Sequence, residues 1–238
     1  MRMDNRADDV MRPAEIVSGF LLTAEGSVLM KLGHTQVLCA ATIEDSVPQF
    51  LRNSGKGWVT AEYSMLPRST AKRTPREVVK GRPSGRTHEI QRLIGRSLRS
   101  VMDMNALGER TVMLDCDVLQ ADGGTRTASI TGAFVALALA LRRLVEFGVL
   151  KSMPVRDYVA ATSVGLLGGK PLLDLCYEED SQADVDMNVV MTGSGKFIEV
   201  QATAEHKPFD DAQMAELLTL ARGGIADLVE LQKRAVRW

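Results

Sequence analysis

Cysteine is scarce in this chain, net charge is nearly absent and no apolar run is long; each scarcity removes a class of function. The three cysteines, Cys39, Cys116 and Cys176, are odd in number, far apart and set in apolar, strand-like surroundings. They argue against a disulfide framework and against a zinc knuckle, and a reducing cytoplasm suits them. The three histidines, His34, His88 and His206, lie in separate segments without ligand spacing, so a histidine metal cluster is not expected. Neither a Gly-x-Ser-x-Gly elbow nor a cysteine-nucleophile signature is present, which leaves covalent catalysis without a candidate. The longest apolar run, Ala133 to Leu141, falls well short of the roughly 20 residues of a membrane span. The opening Met-Arg-Met-Asp-Asn-Arg-Ala-Asp-Asp is too polar for a signal peptide. A cytoplasmic protein with no membrane contact is expected.

With 238 residues, 45% of them hydrophobic and 25% charged, the chain can fill a core as one large domain or as two tightly joined halves. A formal net charge of −1 argues against a generic nucleic-acid sponge, yet the charge is unevenly spread. Between Arg68 and Arg99 ten basic residues face only Glu77 and Glu89, a local balance of +8 that leaves −9 on the remainder.

The most informative stretch is Leu114 to Gly132. Val112, Leu114, Cys116 and Val118 alternate with Met113, Asp115, Asp117 and Leu119, a strand pattern that stops at Gly123-Gly124. Ile130, Phe134, Leu137 and Leu141 then recur at helical spacing. A strand, a tight turn and a helix start so arranged aim free helix amides back at the turn, where Thr125 and Arg126 add a hydroxyl and a guanidinium. That makes an anion pocket. The alternative is an ordinary glycine turn capped by Thr127, with Arg126 solvated.

Along the rest of the chain, residues 1 to 14 read as an extended polar arm. Ile16 to Phe20, Gly26 to Leu32 and Thr35 to Ile43 read as an antiparallel meander whose last strand is buried on both faces. Trp58 to Met65 is a further strand, and Leu66 to Thr87 a long basic loop rich in Pro, Gly, Ser and Thr. Helical spacing returns with Ile90, Leu93, Ile94 and Leu98. Arg92, Arg96 and Arg99 occupy another face of that helix: solvated, facing phosphate, or at a subunit contact. Helical residues continue to Leu150; then come a strand from Val155 to Leu167 broken by Gly165, a turn at Gly168 to Pro171, strands at Ala183 to Met191 and Phe197 to Ala202, and a final helix from Asp211 to Val236. In the strand from Ala183, Ala183, Val185, Met187 and Val189 point to a core face, and Asp184, Asp186 and Asn188 to a polar one. Thr192 to Lys196 resembles a P-loop only superficially, because Val190 stands where its first glycine belongs. The order of elements also suggests a weak doubling, about 1–110 and 111–238, within a single domain of 1–238.

Asp180 and Asp186 are the candidate chemical pair. In one unbroken strand their even spacing puts both on one face, whereas a turn at Ser181-Gln182 puts them on different elements; in either case they could share Mg²⁺. An acidic turn facing solvent is the plain alternative. An anion pocket, a carboxylate pair and a basic loop together suit chemistry on a phosphodiester.

Those residues resemble the bacterial ribonuclease PH family. The resemblance is carried by Gly55 to Arg68, Ser84-Gly-Arg86, Glu89 to Arg99, Asp115 to Arg126 and Asp184 to Val190, and it extends over nearly the whole chain. It implies an α+β fold in two halves, like domain 2 of ribosomal protein S5, with mixed β-sheets and packed helices, assembled as a homohexameric ring, a trimer of dimers. It implies a phosphorolytic 3′→5′ exoribonuclease and reversible nucleotidyltransferase that trims tRNA precursors with inorganic phosphate and releases nucleoside 5′-diphosphates. By position, Arg86, Gly124, Thr125 and Arg126 would bind phosphate. Asp180 and Asp186 would be the catalytic pair holding Mg²⁺, or Mn²⁺, and Arg68, Arg73 and Arg76 would grip RNA. His88 and Ala202 depart from the family pattern, and Ala202 matters if a glycine there needs positive φ. A non-catalytic RNA-binding subunit of an exosome-like ring is the rival reading. Such a subunit would be expected to lose the phosphate arginine or the acidic pair, and this chain keeps Arg86, Arg126, Asp180 and Asp186.

Overall fold

The computed structural model describes residues 2 and 4–238, without the side chains of Val78 and Lys80. Met1 and Met3 of the N-terminal arm, and the side chain of Lys80 among the basic loop residues counted above, therefore lie outside the described set. The chain runs β1 (Ala14–Ser18), β2 (Gly26–Leu32), β3 (Thr35–Glu44), β4 (Trp58–Met65), α1 (Gly85–Ser100), α2 (Met104–Leu107), β5 (Thr111–Gln120), α3 (Thr125–Glu146), β6 (Val159–Leu167), β7 (Lys170–Leu173), α4 (Tyr177–Asp180), β8 (Val185–Thr192), β9 (Phe197–Ala204) and α5 (Asp211–Ala235). Two sheets result, in the orders β1-β2-β3-β5-β4 and β7-β6-β8-β9. The first is mixed, since β4 and β5 run parallel, joined by the crossover that holds α1 and α2. The sheets divide after β5 rather than near residue 110, because β5 hydrogen-bonds to both β3 and β4.

Helix α3 explains the arrangement. Its residues from Ala128 to Leu141 are almost all buried, and it packs on β2 and β3 of the first sheet and β6 of the second. By length and composition α3 could cross a membrane, but here it is the helix that both sheets share. Helix α5 covers the second sheet, against β6 and β7.

Several expectations are corrected. The long basic loop ends sooner than its composition suggests: Ser84 caps α1, accepting from the amide of Thr87, so Arg86 lies in the first turn of a helix. Strand β3 is fully buried on one face only; Thr35, Val37, Cys39 and Ala41 alternate with half-buried neighbours. Gly165 does not break β6. It is paired with Leu172 on one side and Asp186 on the other, and a Cβ there would lie 2.5 Å from the carbonyl of Val185. The following turn opens into β7, which periodicity missed because the strand has four residues. On the basic face of α1, Arg96 pairs with Glu199 at 2.5 Å and Arg99 lies over Trp58 and donates to the Val59 carbonyl, so only Arg92 of the three faces solvent without a partner among the described residues.

The N-terminal arm is not simply extended. It folds back so that three of its arginines enclose two buried carboxylates. Arg2 holds Glu179 through two bonds of 2.7 Å. Arg12 holds Asp174 at 2.8 and 2.6 Å, and Arg6 reaches both acids at 3.4 Å. Asp174 is wholly buried and sits at a φ of 55°, just after β7. These ion pairs anchor the segment that leads into α4 and Asp180. Removing one partner of a buried pair strands the other charge, a loss of about 3–5 kcal/mol, whereas an exposed pair is worth under about 1 kcal/mol. Asp174→Ala is therefore expected to lower the urea unfolding midpoint sharply, while Glu15→Ala, which breaks the exposed pair with Lys31, leaves it almost unmoved.

Candidate active site

Between β5 and α3 the chain turns at Gly123 and Gly124, both left-handed at φ of 72° and 66°. The turn is also tight in space. A Cβ on Gly123 would stand 2.5 Å from the Leu175 carbonyl and 2.9 Å from the Tyr177 amide, so the backbone entering α4 rests directly on it. Gly124 is the N-cap of α3, and no side chain caps the helix. The Thr127 hydroxyl donates to the Gly124 carbonyl at 2.9 Å instead of accepting from an amide. The capped-turn alternative is thereby excluded. The first amides of a 22-residue helix are left for another acceptor, at the positive end of its dipole.

The flanking side chains are held from several elements. The Tyr63 hydroxyl, on β4, donates to Thr125 Oγ1 at 2.9 Å, and burial raises its phenol above the ordinary range, so it stays a donor. Arg126 donates to Gln201 Oε1 at 2.8 Å and lies 3.4 Å from Glu89 Oε1, while Gln201 in turn donates to Glu89 at 2.9 Å. Helix α1 and strand β9 thus brace one guanidinium. Arg86 lies on the same cleft and is near enough to Asp180 to favour its ionised form.

Asp180 and Asp186 are not on one strand. Asp180 ends α4, Ser181-Gln182 form the turn, and Asp186 is the second residue of β8. Burial raises the Asp180 carboxyl, against the opposing pull of Arg86 and Arg126. Burial and then the charge of Asp180 push Asp186 up to about 6. Asn188 donates to Asp186 Oδ2 at 3.3 Å. Among the described residues no group of three or more His, Cys, Asp or Glu is arranged to hold a metal ion. Two desolvated carboxylates facing open space nonetheless fit Mg²⁺, which takes one or two carboxylates and fills its shell with water and phosphate oxygens.

All six of these residues, Arg86, Gly124, Thr125, Arg126, Asp180 and Asp186, line a single cleft of about 1390 Å³. Arg68, Arg73 and Arg76 do not. They are exposed on the neighbouring segment, Arg68 donating to the Ala71 carbonyl, and it is Thr70, Ala71, Lys72 and Thr74 that form the cleft wall. Sequence reasoning missed Tyr63, Glu89, Gln201 and Arg12 as supports. Arg12 lines the cleft and joins the Asp122 carbonyl to Asp174, tying the glycine turn to the approach to α4. Only the fold brings these residues together, 110 positions apart in the case of Arg12 and Asp122. Cys176 also lines the cleft, but burial holds its thiol above the ordinary value, which keeps it protonated.

Two models described as the 3′ exoribonuclease family, domain 1 and domain 2, match residues 10–142 and 157–224. The chain belongs to the ribonuclease PH family. It is 75% identical to ribonuclease PH of Solibacter usitatus over 236 residues, 99% of each chain. It is 61% identical to that of Syntrophomonas wolfei, over 98% of this chain and 97% of the relative. Among solved structures, an Archaeoglobus fulgidus exosome with RNA bound to the active site matches at 25% identity and a TM-score of 0.81, over 96% of this chain and 91% of that one. Rice Rrp46 shares the fold at a TM-score of 0.79 and 18% identity, over 99% of this chain and all of the other. Neither departure from the family pattern strains the backbone. Ala202 sits in β9 opposite Met187 without a positive φ, and His88 is exposed on α1.

The desolvated acid pair has a stability cost. Above pH 3.8 the unfolded chain loses the Asp186 proton that the native chain keeps until about 6, so stability falls as pH rises through that window. Asp186→Asn is expected to raise the thermal midpoint of the metal-free protein at pH 7.5, a gain of order 1–3 kcal/mol that vanishes when melting is repeated below pH 4.

Proposed function

We propose that this ribonuclease PH family member shortens RNA from its 3′ end with inorganic phosphate as the attacking group, releasing nucleoside 5′-diphosphates and trimming tRNA precursors. The observation that carries the reading is the uncapped N-terminus of α3, flanked by Arg126 and Arg86, opening on the same cleft as the desolvated pair Asp180 and Asp186. Phosphate bound by the amides at Gly124 and Thr125 and by the two guanidiniums would be oriented for in-line attack on the last phosphodiester. One phosphate oxygen bonds to the scissile phosphorus, the bond to the 3′-oxygen breaks, and Asp186 assists proton delivery to that oxygen. Asp180 and Asp186 would hold Mg²⁺, or Mn²⁺, which when bound neutralises charge on the phosphoryl oxygens. Because a phosphate ester is exchanged for a phosphoanhydride, the reaction runs backwards when nucleoside diphosphate is abundant.

Arg68, Arg73 and Arg76 extend the basic surface beyond the cleft, where they would hold the RNA backbone without regard to sequence. One such loop grips a folded RNA weakly, and a homohexameric ring, a trimer of dimers in the cytoplasm, would supply further loops. The rival reading as a non-catalytic ring subunit is not favoured, since full-length relatives at 59–75% identity are ribonuclease PH proteins.

Purified protein incubated with Mg²⁺ and a tRNA bearing extra 3′ nucleotides should release nucleoside diphosphates only when phosphate is added. Arg126→Ala should lower kcat/KM by about 100-fold or more, as loss of a preorganised donor does. Monophosphates appearing without added phosphate would make the protein a hydrolase and refute the assignment. In a separate binding titration, Arg73→Ala should reduce the slope of log affinity against log salt by about 0.7–0.9, the share of one phosphate contact. An unchanged slope would remove Arg73 from the RNA surface.

A further inference from the structure

Tyr177 is the first residue of α4 and Asp180 the last, so the two stand three apart on a single helical turn and share a face. Both line the cleft. Tyr177 is 64% exposed there, and among the described cleft-lining residues only His34 offers another aromatic ring. Three other exposed aromatics are engaged, Phe50 against Trp58, Trp238 against Tyr158 and Phe197 beneath Arg222; Phe20 and Phe147 are exposed as well, but neither lines the cleft. Tyr177 has no ring partner among the described residues, and its hydroxyl makes no hydrogen bond there. Its backbone is fixed, however. The amide donates to Asp122 Oδ1 at 3.3 Å and abuts Gly123, so the ring projects from a rigid mount shared by the glycine turn and the acid pair.

We propose that Tyr177 is a base-stacking platform for one of the two nucleosides that flank the scissile phosphate. The proposal rests on the phosphorolytic reading above and adds what that reading lacks, a contact with the base. A phosphate held at the start of α3 and a phosphodiester held at Asp180 leave the adjoining bases beside α4. An exposed phenol there offers a flat apolar face that every base can use, and stacking of this kind tolerates any sequence. The enzyme would thereby bind the end it cuts without reading its identity.

The test is a cycle of enzyme and substrate variants. Wild type, Tyr177→Phe, Tyr177→Leu and Tyr177→Ala are assayed on single-stranded RNA, intact or abasic at the last or the penultimate position, with KM for RNA, KM for phosphate and kcat measured separately. Because the side chain is exposed, circular dichroism should be the same for all four proteins. Phe should keep the wild-type values. Ala and Leu should raise the KM for RNA roughly 5- to 150-fold, the range of one lost stacking contact, with the KM for phosphate unchanged. At one of the two positions, the abasic substrate should cost wild type the same factor yet cost Tyr177→Ala almost nothing more. Full additivity at both positions, or a Phe variant as poor as Ala, would overturn the proposal while leaving phosphorolysis intact. Wild type that releases no diphosphate from intact RNA would instead overturn the reading beneath it.

Discussion

Gly123 has room for a hydrogen and nothing larger, and the geometry of the site follows from that contact. The turn after β5 and the backbone entering α4 touch across it, one carrying the start of α3 and the other Asp180. The two sheets, already joined by α3 and by the arginine clamp of the N-terminal arm, are thereby brought together at the candidate cleft. The uncapped amides of α3 stand at the edge of the first, and the carboxylate pair comes from the second. Arg12 strengthens the junction by bonding to the Asp122 carbonyl on one side and to Asp174 on the other.

Electrostatically the cleft is divided against itself. Burial works against ionisation of Asp180 and Asp186, and Arg86 and Arg126 work for it on Asp180. A divalent cation and a pair of phosphate groups would satisfy both sides. The supports around it are of another kind. Tyr63, Glu89 and Gln201 hold Thr125 and Arg126 through short neutral or charge-assisted bonds and leave their cleft-facing atoms available.

What could be read from the sequence divides along similar lines. The strand, turn and helix of residues 111–146 were legible because periodicity changes from two to 3.6 across a glycine pair, a local signal. The candidate phosphate residues Gly124, Thr125 and Arg126 sit on that segment and were legible with it, whereas Arg86 came only from the family resemblance, because its helix start read as part of the basic loop. The one-strand option for the acid pair failed because a single turn of helix followed by Ser181-Gln182 has no periodicity to display. Strand β7 escaped for the same reason. The arginine clamp was invisible for a different one: Arg2 and Glu179 are 177 residues apart, and nothing near either announces the other. Arg6 and Arg12 looked like part of an extended polar arm because the acids they meet lie beyond β7, in the second half of the chain.

That separation also orders events during synthesis. Each of the three arginines leaves the ribosome at least 162 residues before the carboxylate it meets is made. Until then the guanidiniums lack their carboxylates and Gly123 lacks the backbone that seats against it. A nascent chain can complete its first sheet and still have no phosphodiester site. The glycine turn and the carboxylate pair can meet only once β8 has been made, so the cleft closes after the whole of the first sheet is in place.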